Sequence, residues 1–406
     1  MKKMKVLLIF TATIMCLAVL IFIPACGGGS NEPEATPEPV ETPTPTPPPP
    51  TPDPTPEPVN LVEYDPSLPV EHLFFHEVIA YPELAFPNRT DANRLDDYMI
   101  TVHEFNNILE SLYRNNFVLV DMNEIWSEFT NDNGQLRMRR NTLMIPEGKK
   151  PLVISFDDLS FYDYMEGDGF MRRYIIGSDG EIWAEGVDPS GNPVVTQDLA
   201  VITILDKFVR DNPGFSHNGA KGCIAFTGYE GILGYRTQTE RDNNTEAFRL
   251  NRMQEIARVR PVVERLKETG WYFASHSWGH IRLENMSLNG VIADAARWEE
   301  EVGSLVGNTI IFIYPFGSRL DGNDVWRDTA GPALRHYVDE LGFRMFASVG
   351  SEPFTRIRTD VPAVMMDRMN SDGITLRRAR DRFIRFYDAR EVFDPLRPTG
   401  IETLWD

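Results

Sequence analysis

The sequence predicts an α/β fold, a parallel sheet or a (β/α) barrel, across residues 61–406. Two observations carry that expectation. From Leu61 onward, short apolar runs alternate with stretches of helical spacing, the rhythm of strands joined by crossover helices. The 406 residues are also 42% hydrophobic, which supports a sizeable core, and three cysteines are too few for a disulfide framework. With 60 Asp and Glu against 40 Lys and Arg, the net charge is -20. A nucleic-acid partner, which needs a basic stripe, is therefore excluded.

The first 26 residues read as a targeting segment. Three lysines within Met1 to Lys5 precede an apolar run from Val6 to Pro24, the pattern of a secretory leader. The run ends in Ile23-Pro24-Ala25-Cys26 and then Gly27-Gly28-Gly29-Ser30, which resembles a bacterial lipoprotein box. The resemblance implies cleavage before Cys26, lipidation of its thiol, and a chain held at the outer face of the membrane. An uncleaved signal anchor is the alternative, because an apolar run of this length just crosses a bilayer.

Residues 27–60 read as a linker. Asn31 to Val59 holds 13 of the 30 prolines among Thr and Glu, a composition that favours extended polyproline II over a packed core. At about 3.1 Å per residue it spans roughly 90 Å. That reach suits a wall-directed enzyme, although a linker with no length requirement fits equally.

Strand candidates follow at Glu71–Phe75, Pro151–Phe156, Cys223–Thr227, Trp271–Ser275, Thr309–Tyr314, Arg344–Val349 and Ala363–Met366. Phe105, Ile108, Leu109, Leu112 and Tyr113 have helical spacing behind a possible N-cap at Thr101. A second helix is predicted from Met253 to Glu268, ending at Gly270. Residues 162–197 break the rhythm, and their turn signals at Gly177–Gly180 and Asp188–Gly191 read as an inserted β-hairpin. Cys223, inside an apolar run, reads as a buried small hydrophobe.

In such folds ligands sit beyond the carboxyl ends of the strands, so the polar residues there are the candidates. Asp157 and Asp158 follow the second strand candidate, either as a metal ligand beside a base or as an N-cap and first-turn acid of a helix. His276 and His280 follow the fourth candidate; a helical segment would place both imidazoles on one face to share an ion. Tyr314-Pro315-Phe316-Gly317 follows the fifth, as an aromatic wall for a sugar or as an ordinary β-to-α turn.

These residues, as "SFDD", "HSWGH" and "YPFG" in this order, resemble the first three motifs of the NodB-homology polysaccharide deacetylases, carbohydrate esterase family four. "FFHEV" at Phe74 to Val78 and "YMITVHEFNNILESLYRNNFVLVDMNEI" further resemble the opening strand, first helix and next strand of the extracellular poly-N-acetylglucosamine type. The resemblance spans roughly residues 68–385. It implies a distorted (β/α) barrel and a metal-dependent N-deacetylase, with Asp158, His276 and His280 holding a divalent ion, usually zinc. Asp157 would be the general base taking a proton from water activated by the ion. A backbone N–H near Tyr314 would help to stabilise the oxyanion, and Tyr314, Pro315, Phe316 and Trp278 would line the sugar groove. The implied partners are an N-acetylglucosamine polysaccharide, peptidoglycan or exopolysaccharide, and the membrane through the lipid anchor; no obligate protein partner is implied.

Three departures stand out. Ile313 occupies the third-motif position where many members carry a base-orienting arginine, and Arg368 is a candidate replacement. No histidine follows His336, so the general acid expected near the C-terminus is missing; His336 reads as a helix-surface residue, and His76 as one that borders the site instead. No fourth motif is evident, Trp326 lying too early. These departures keep a second class open, a carbohydrate-binding or scaffolding lipoprotein that has lost its acid. A solute-binding lipoprotein fits the leader but leaves both metal-type motifs without a role.

Overall fold

The computed structural model describes residues 60–86, 94–239, 245–320 and 327–401. The leader, Cys26, the whole proline-rich stretch from Asn31 to Val59 and Trp326 lie outside them. Seven strands close into a parallel ring: β1 (Glu71–Phe75), β2 (Lys150–Asp157), β3 (Cys223–Phe226), β4 (Tyr272–Ser275), β5 (Ile311–Ile313), β6 (Met345–Val349) and β7 (Val364–Asn370). Each pairs in parallel with the next in chain order, and β7 returns to β1. They are the seven apolar runs singled out above. Only a barrel lets every one of them find two neighbours and leave no open edge.

The barrel is distorted where one edge of β2 serves two partners, while its other edge pairs with β1. Its first residues pair with Phe117–Leu119 and its last with β3. The two-residue period of a strand sorts side chains between layers. Leu152, Ile154 and Phe156 join Leu73, Phe75 and the helical Phe105, Ile108, Leu109 and Leu112 in the outer core. Val153, Cys223, Ala225, Ala274, Ile313, Ala347 and Met366 fill the barrel interior. Cys223 is accordingly a buried, free thiol.

Helix α1 (Val102–Arg114) begins at Thr101, whose side chain accepts from the Glu104 backbone while Glu104 reaches back to the Thr101 N–H. Helix α2 (Val201–Asp211) follows the inserted segment. Helix α3 (Glu246–Glu268) starts seven residues before the expected Met253, because Thr245 caps it and its first turns are mostly exposed. Hydrophobic spacing is blind to such turns. Helix α4 (Leu288–Trp298) packs behind the loop that follows β4.

The inserted segment is larger than a hairpin. Arg173–Ile176, Ile182–Val187 and Pro193–Thr196 form a three-stranded antiparallel meander, whose two turns fall at the two expected turn signals. The third strand is only four residues long, opens with proline and is half solvent-facing, so its two valines show no alternation that would mark it in the sequence.

Candidate metal centre at the carboxyl ends of the strands

Alternation along β2 turns Val153, Ser155 and Asp157 toward the barrel interior. Asp157 is therefore delivered, almost wholly buried, to its carboxyl-terminal mouth. Asp158 leaves the strand with a φ of 62°, a left-handed conformation that aspartate tolerates, and its carboxylate points elsewhere. The N-cap alternative is not the one adopted. The next helical turn is Asp163–Met165, entered through Tyr162 without a side-chain cap.

His276 follows β4 and is buried. Its Nδ1 lies 2.8 Å from the Ile313 carbonyl. A carbonyl can only accept, so Nδ1 carries a proton, and in the neutral ring the lone pair is on Nε2, the atom that can face an ion. The segment to His280 does not turn helical. Ser277 and His280 have φ values of 56° and 48°, and the Trp278 and Gly279 N–H groups each donate over 2.8 Å to the Asp294 carboxylate of α4. This irregular loop, pinned by Asp294, brings the two imidazoles to a ring separation of 5.0 Å. The Nε2 of His280 then lies 3.5 Å from the Asp158 carboxylate.

Asp158, His276 and His280 each offer one ligand atom, all within 4.8 Å of one another. Burial holds the His280 imidazole below its usual pKa, against the pull of Asp158, and so favours the neutral, ligating form. Two neutral imidazoles and one carboxylate suit a divalent ion with open positions, and an imidazole N–H given to a backbone carbonyl is the usual support for such a ligand. The donor set fits zinc.

Asp157 stands beside this set, its carboxylate 3.8 Å from His276 Nε2. The fully buried Arg368 of β7 grips it with two hydrogen bonds of 2.7 and 3.0 Å. Burial alone would push its pKa up, but the Arg368 charge outweighs that, with His276 and His76 adding, and Asp157 falls to about 2. Arg368, two strands along the barrel from Ile313, is the arginine that holds this carboxylate. The Ile313 carbonyl has a separate task in orienting His276. His76 faces the same mouth, close enough to influence the ionisation of Asp157, His280 and Asp372. Its Nδ1 is buried without a hydrogen-bond partner among the described residues.

The expected groove is corrected in part. Tyr314 is buried against Phe312 and Phe346 in the layer outside the barrel, and Pro315 is buried as well. The Tyr314 N–H donates to the Ala347 carbonyl as a sheet bond, so it is not available to an oxyanion. The Trp278 indole lies under the Arg297 guanidinium at 3.4 Å, donates to Glu301 and packs against Gly228, which makes it a strut of the loop. Only Phe316 of that motif is at the mouth, 52% exposed, its ring 4.4 Å from that of His280 and 4.0 Å from the Arg282 guanidinium. His336 is buried beside Glu340 rather than lying on a helix surface.

Sequence reasoning missed Tyr162. Its hydroxyl donates to Asp158 over 2.6 Å and lies 2.6 Å from the Thr227 hydroxyl. Its ring stacks between Tyr229 and the exposed Tyr164 at 4.8 and 5.7 Å. The signal was the run Phe161-Tyr162-Asp163-Tyr164 directly after the motif, which was absorbed into the insertion.

Residues 239–332 match the family model described as polysaccharide deacetylase. The matched segment contains the His276–His280 loop and the Tyr314–Gly317 turn, while Asp157 and Asp158 precede it. The match covers less than a quarter of the chain and supports a hydrolase of carbon–nitrogen bonds. Over 75% of this chain and 93% of that one, the protein is similar to the Streptococcus pyogenes deacetylase PplD in complex with acetate, at 15% identity and a TM-score of 0.39. No curated protein matches the chain.

Proposed function

We propose that the protein is a metal-dependent N-deacetylase of an N-acetylglucosamine polysaccharide, peptidoglycan or exopolysaccharide. It acts at the outer face of the cell membrane, with Cys26 as its lipid anchor. One observation carries the chemistry: Asp158, His276 and His280 converge within 4.8 Å, beside an ionised Asp157. When bound, a divalent ion such as zinc polarises an acetamide carbonyl and acidifies water. Asp157, ionised and fixed by Arg368, accepts the proton of the attacking water. His76, with its unpartnered Nδ1, takes the place of the missing C-terminal histidine and protonates the leaving amine. Phe316 and Tyr164, exposed beside the ligand set, offer ring faces to a sugar.

The full-length protein loaded with zinc is expected to release acetate from N-acetylglucosamine oligomers or peptidoglycan, and chelation should abolish release until zinc is restored. Asp157→Asn should retain bound zinc and lose roughly 100-fold or more of the turnover. A second reading, a carbohydrate-binding or scaffolding lipoprotein, draws on the lack of any histidine after His336. Polymer binding by the zinc-loaded protein, with no acetate released from any of these substrates, would decide for it.

A further inference from the structure

Strand alternation turns a column of polar side chains into the barrel: His72 from β1, Ser155 and Asp157 from β2, and Arg368 from β7. All four are buried. Around them the interior is filled by apolar side chains, Val153, Ala225, Ala274, Ile313 and Ala347 among them. Polar groups in such surroundings are costly unless they are paired, and these four pair with one another.

Arg368 grips Asp157, yet its own support is narrow. Besides the two bonds to Asp157, its guanidinium makes one hydrogen bond among the described residues, from Nη1 to the Ser155 hydroxyl at 3.1 Å. Its Nε has none, and the guanidinium lies 4.0 Å from the centre of the Phe74 ring. Ser155 is thus the polar anchor of Arg368 that does not depend on Asp157. That anchor is rigid. Ser155 sits within β2 opposite Phe74 of β1 and Cys223 of β3, and its side chain is short, whereas arginine has many rotamers to lose. The Ser155 hydroxyl in turn shares a hydrogen bond of 2.9 Å with His72 Nε2, which fixes its direction. Burial and the Arg368 charge hold the His72 imidazole well below its usual pKa, so the neutral ring adds no second charge beside Arg368.

A general base works only where its carboxylate is held in line with the attacking water, and a misplacement of about 1 Å can cost roughly 100-fold in rate. Asp157 drifts only as far as Arg368 lets it, and Arg368 only as far as Ser155 lets it. We propose that Ser155 and His72 are positioning residues that act on Asp157 through Arg368. His72 orients the Ser155 hydroxyl, and the hydroxyl holds Arg368 Nη1 in register with the carboxylate. The catalytic consequence rests on the reading of Asp157 as the base of a deacetylase; the hold on Arg368 is measurable without the reaction.

Two readouts on the full-length, zinc-loaded protein test this: acetate release from N-acetylglucosamine oligomers, and NMR of the Arg368 guanidinium nitrogens. Ser155→Ala should lower kcat about 10- to 100-fold, with KM and bound zinc unchanged. It should also speed rotation of the Arg368 guanidinium, which is slow in the wild type. His72→Leu should lower kcat in the same way, and His72→Gln, whose amide still bonds the hydroxyl, should restore most of it. A merely structural pair would cost thermal stability or zinc and leave kcat per zinc-loaded molecule intact, a result that overturns the proposal. An equal loss from His72→Leu and His72→Gln, or a guanidinium no freer in the Ser155→Ala protein, overturns it as well. Should the wild type release no acetate, the deacetylase reading fails alone if Ser155→Ala frees the guanidinium, and both fail if it does not. The two His72 variants decide on the same readouts where Ser155→Ala does not fold.

Discussion

Asp157 and Asp158 are chain neighbours in opposite circumstances. Strand alternation and Arg368 define the first, while a left-handed backbone and the Tyr162 hydroxyl define the second. Tyr162→Phe removes only the hydroxyl that orients Asp158. Zinc affinity should fall roughly 10- to 100-fold, the usual cost of losing an outer partner of a ligand, and chelator competition would measure it. Unchanged affinity would remove Tyr162 from the site. A second residue sets a pH dependence. Glu77 is buried at the start of α2, accepting from Tyr174, Val78 and Val201. Burial raises its pKa from 4.5 to about 7, the three hydrogen bonds only partly opposing it. The folded state thus holds this proton more tightly than the unfolded chain. The resulting stability is fully present below pH 4.5 and is lost as pH rises through 7, by about 3 kcal/mol. Urea unfolding from pH 4.5 to 8 should show that decline, and Glu77→Gln should flatten it.

At the scale of elements, the strands were legible because a strand buried on both faces is a short apolar run, and each of the seven runs is a barrel strand. The loops were not. His276 and His280 were expected to meet through helical spacing. They meet instead because Asp294, distant in sequence, captures two successive N–H groups and forces left-handed turns at Ser277 and His280. Tyr314 and Trp278 illustrate the same limit. Aromatics beside a site read as groove residues, but which way they face depends on Phe346 and Arg297, which no local pattern reveals. Helix α1 is the contrasting case, its start marked by Thr101 and Glu104. Thr101→Ala should cost about 1–2 kcal/mol in chemical denaturation, since it removes the cap and a 2.7 Å bond to Asp394. Acetate release per folded molecule should be unchanged.

The whole molecule is tied together by buried charge. Arg397, near the end of the described chain, is buried between Asp96 and Glu104, and Arg377 shares Asp96. These pairs join the C-terminal segment to α1 and the region before it. Arg397→Met would leave Asp96 short of a partner and Glu104 buried without its counter-charge. A loss of roughly 3–5 kcal/mol is expected in urea unfolding, in a single transition; a loss under 1 kcal/mol would show that the cluster does not close the fold. By itself, the amino-acid sequence determined the order of the seven barrel strands and the residues at their ends, because periodicity and turn chemistry are local; it left a parallel sheet and a barrel both open, and only the family resemblance implied the barrel. Only the tertiary structure decided that Arg368 grips Asp157 and that Tyr162 turns its hydroxyl back onto Asp158. Closing the barrel brings Arg368 within hydrogen-bond range of Asp157, 211 positions away, and no spacing along the chain encodes that distance; for Tyr162, four residues from Asp158, the left-handed backbone at Asp158 and the stacking on Tyr229 decide where the hydroxyl points.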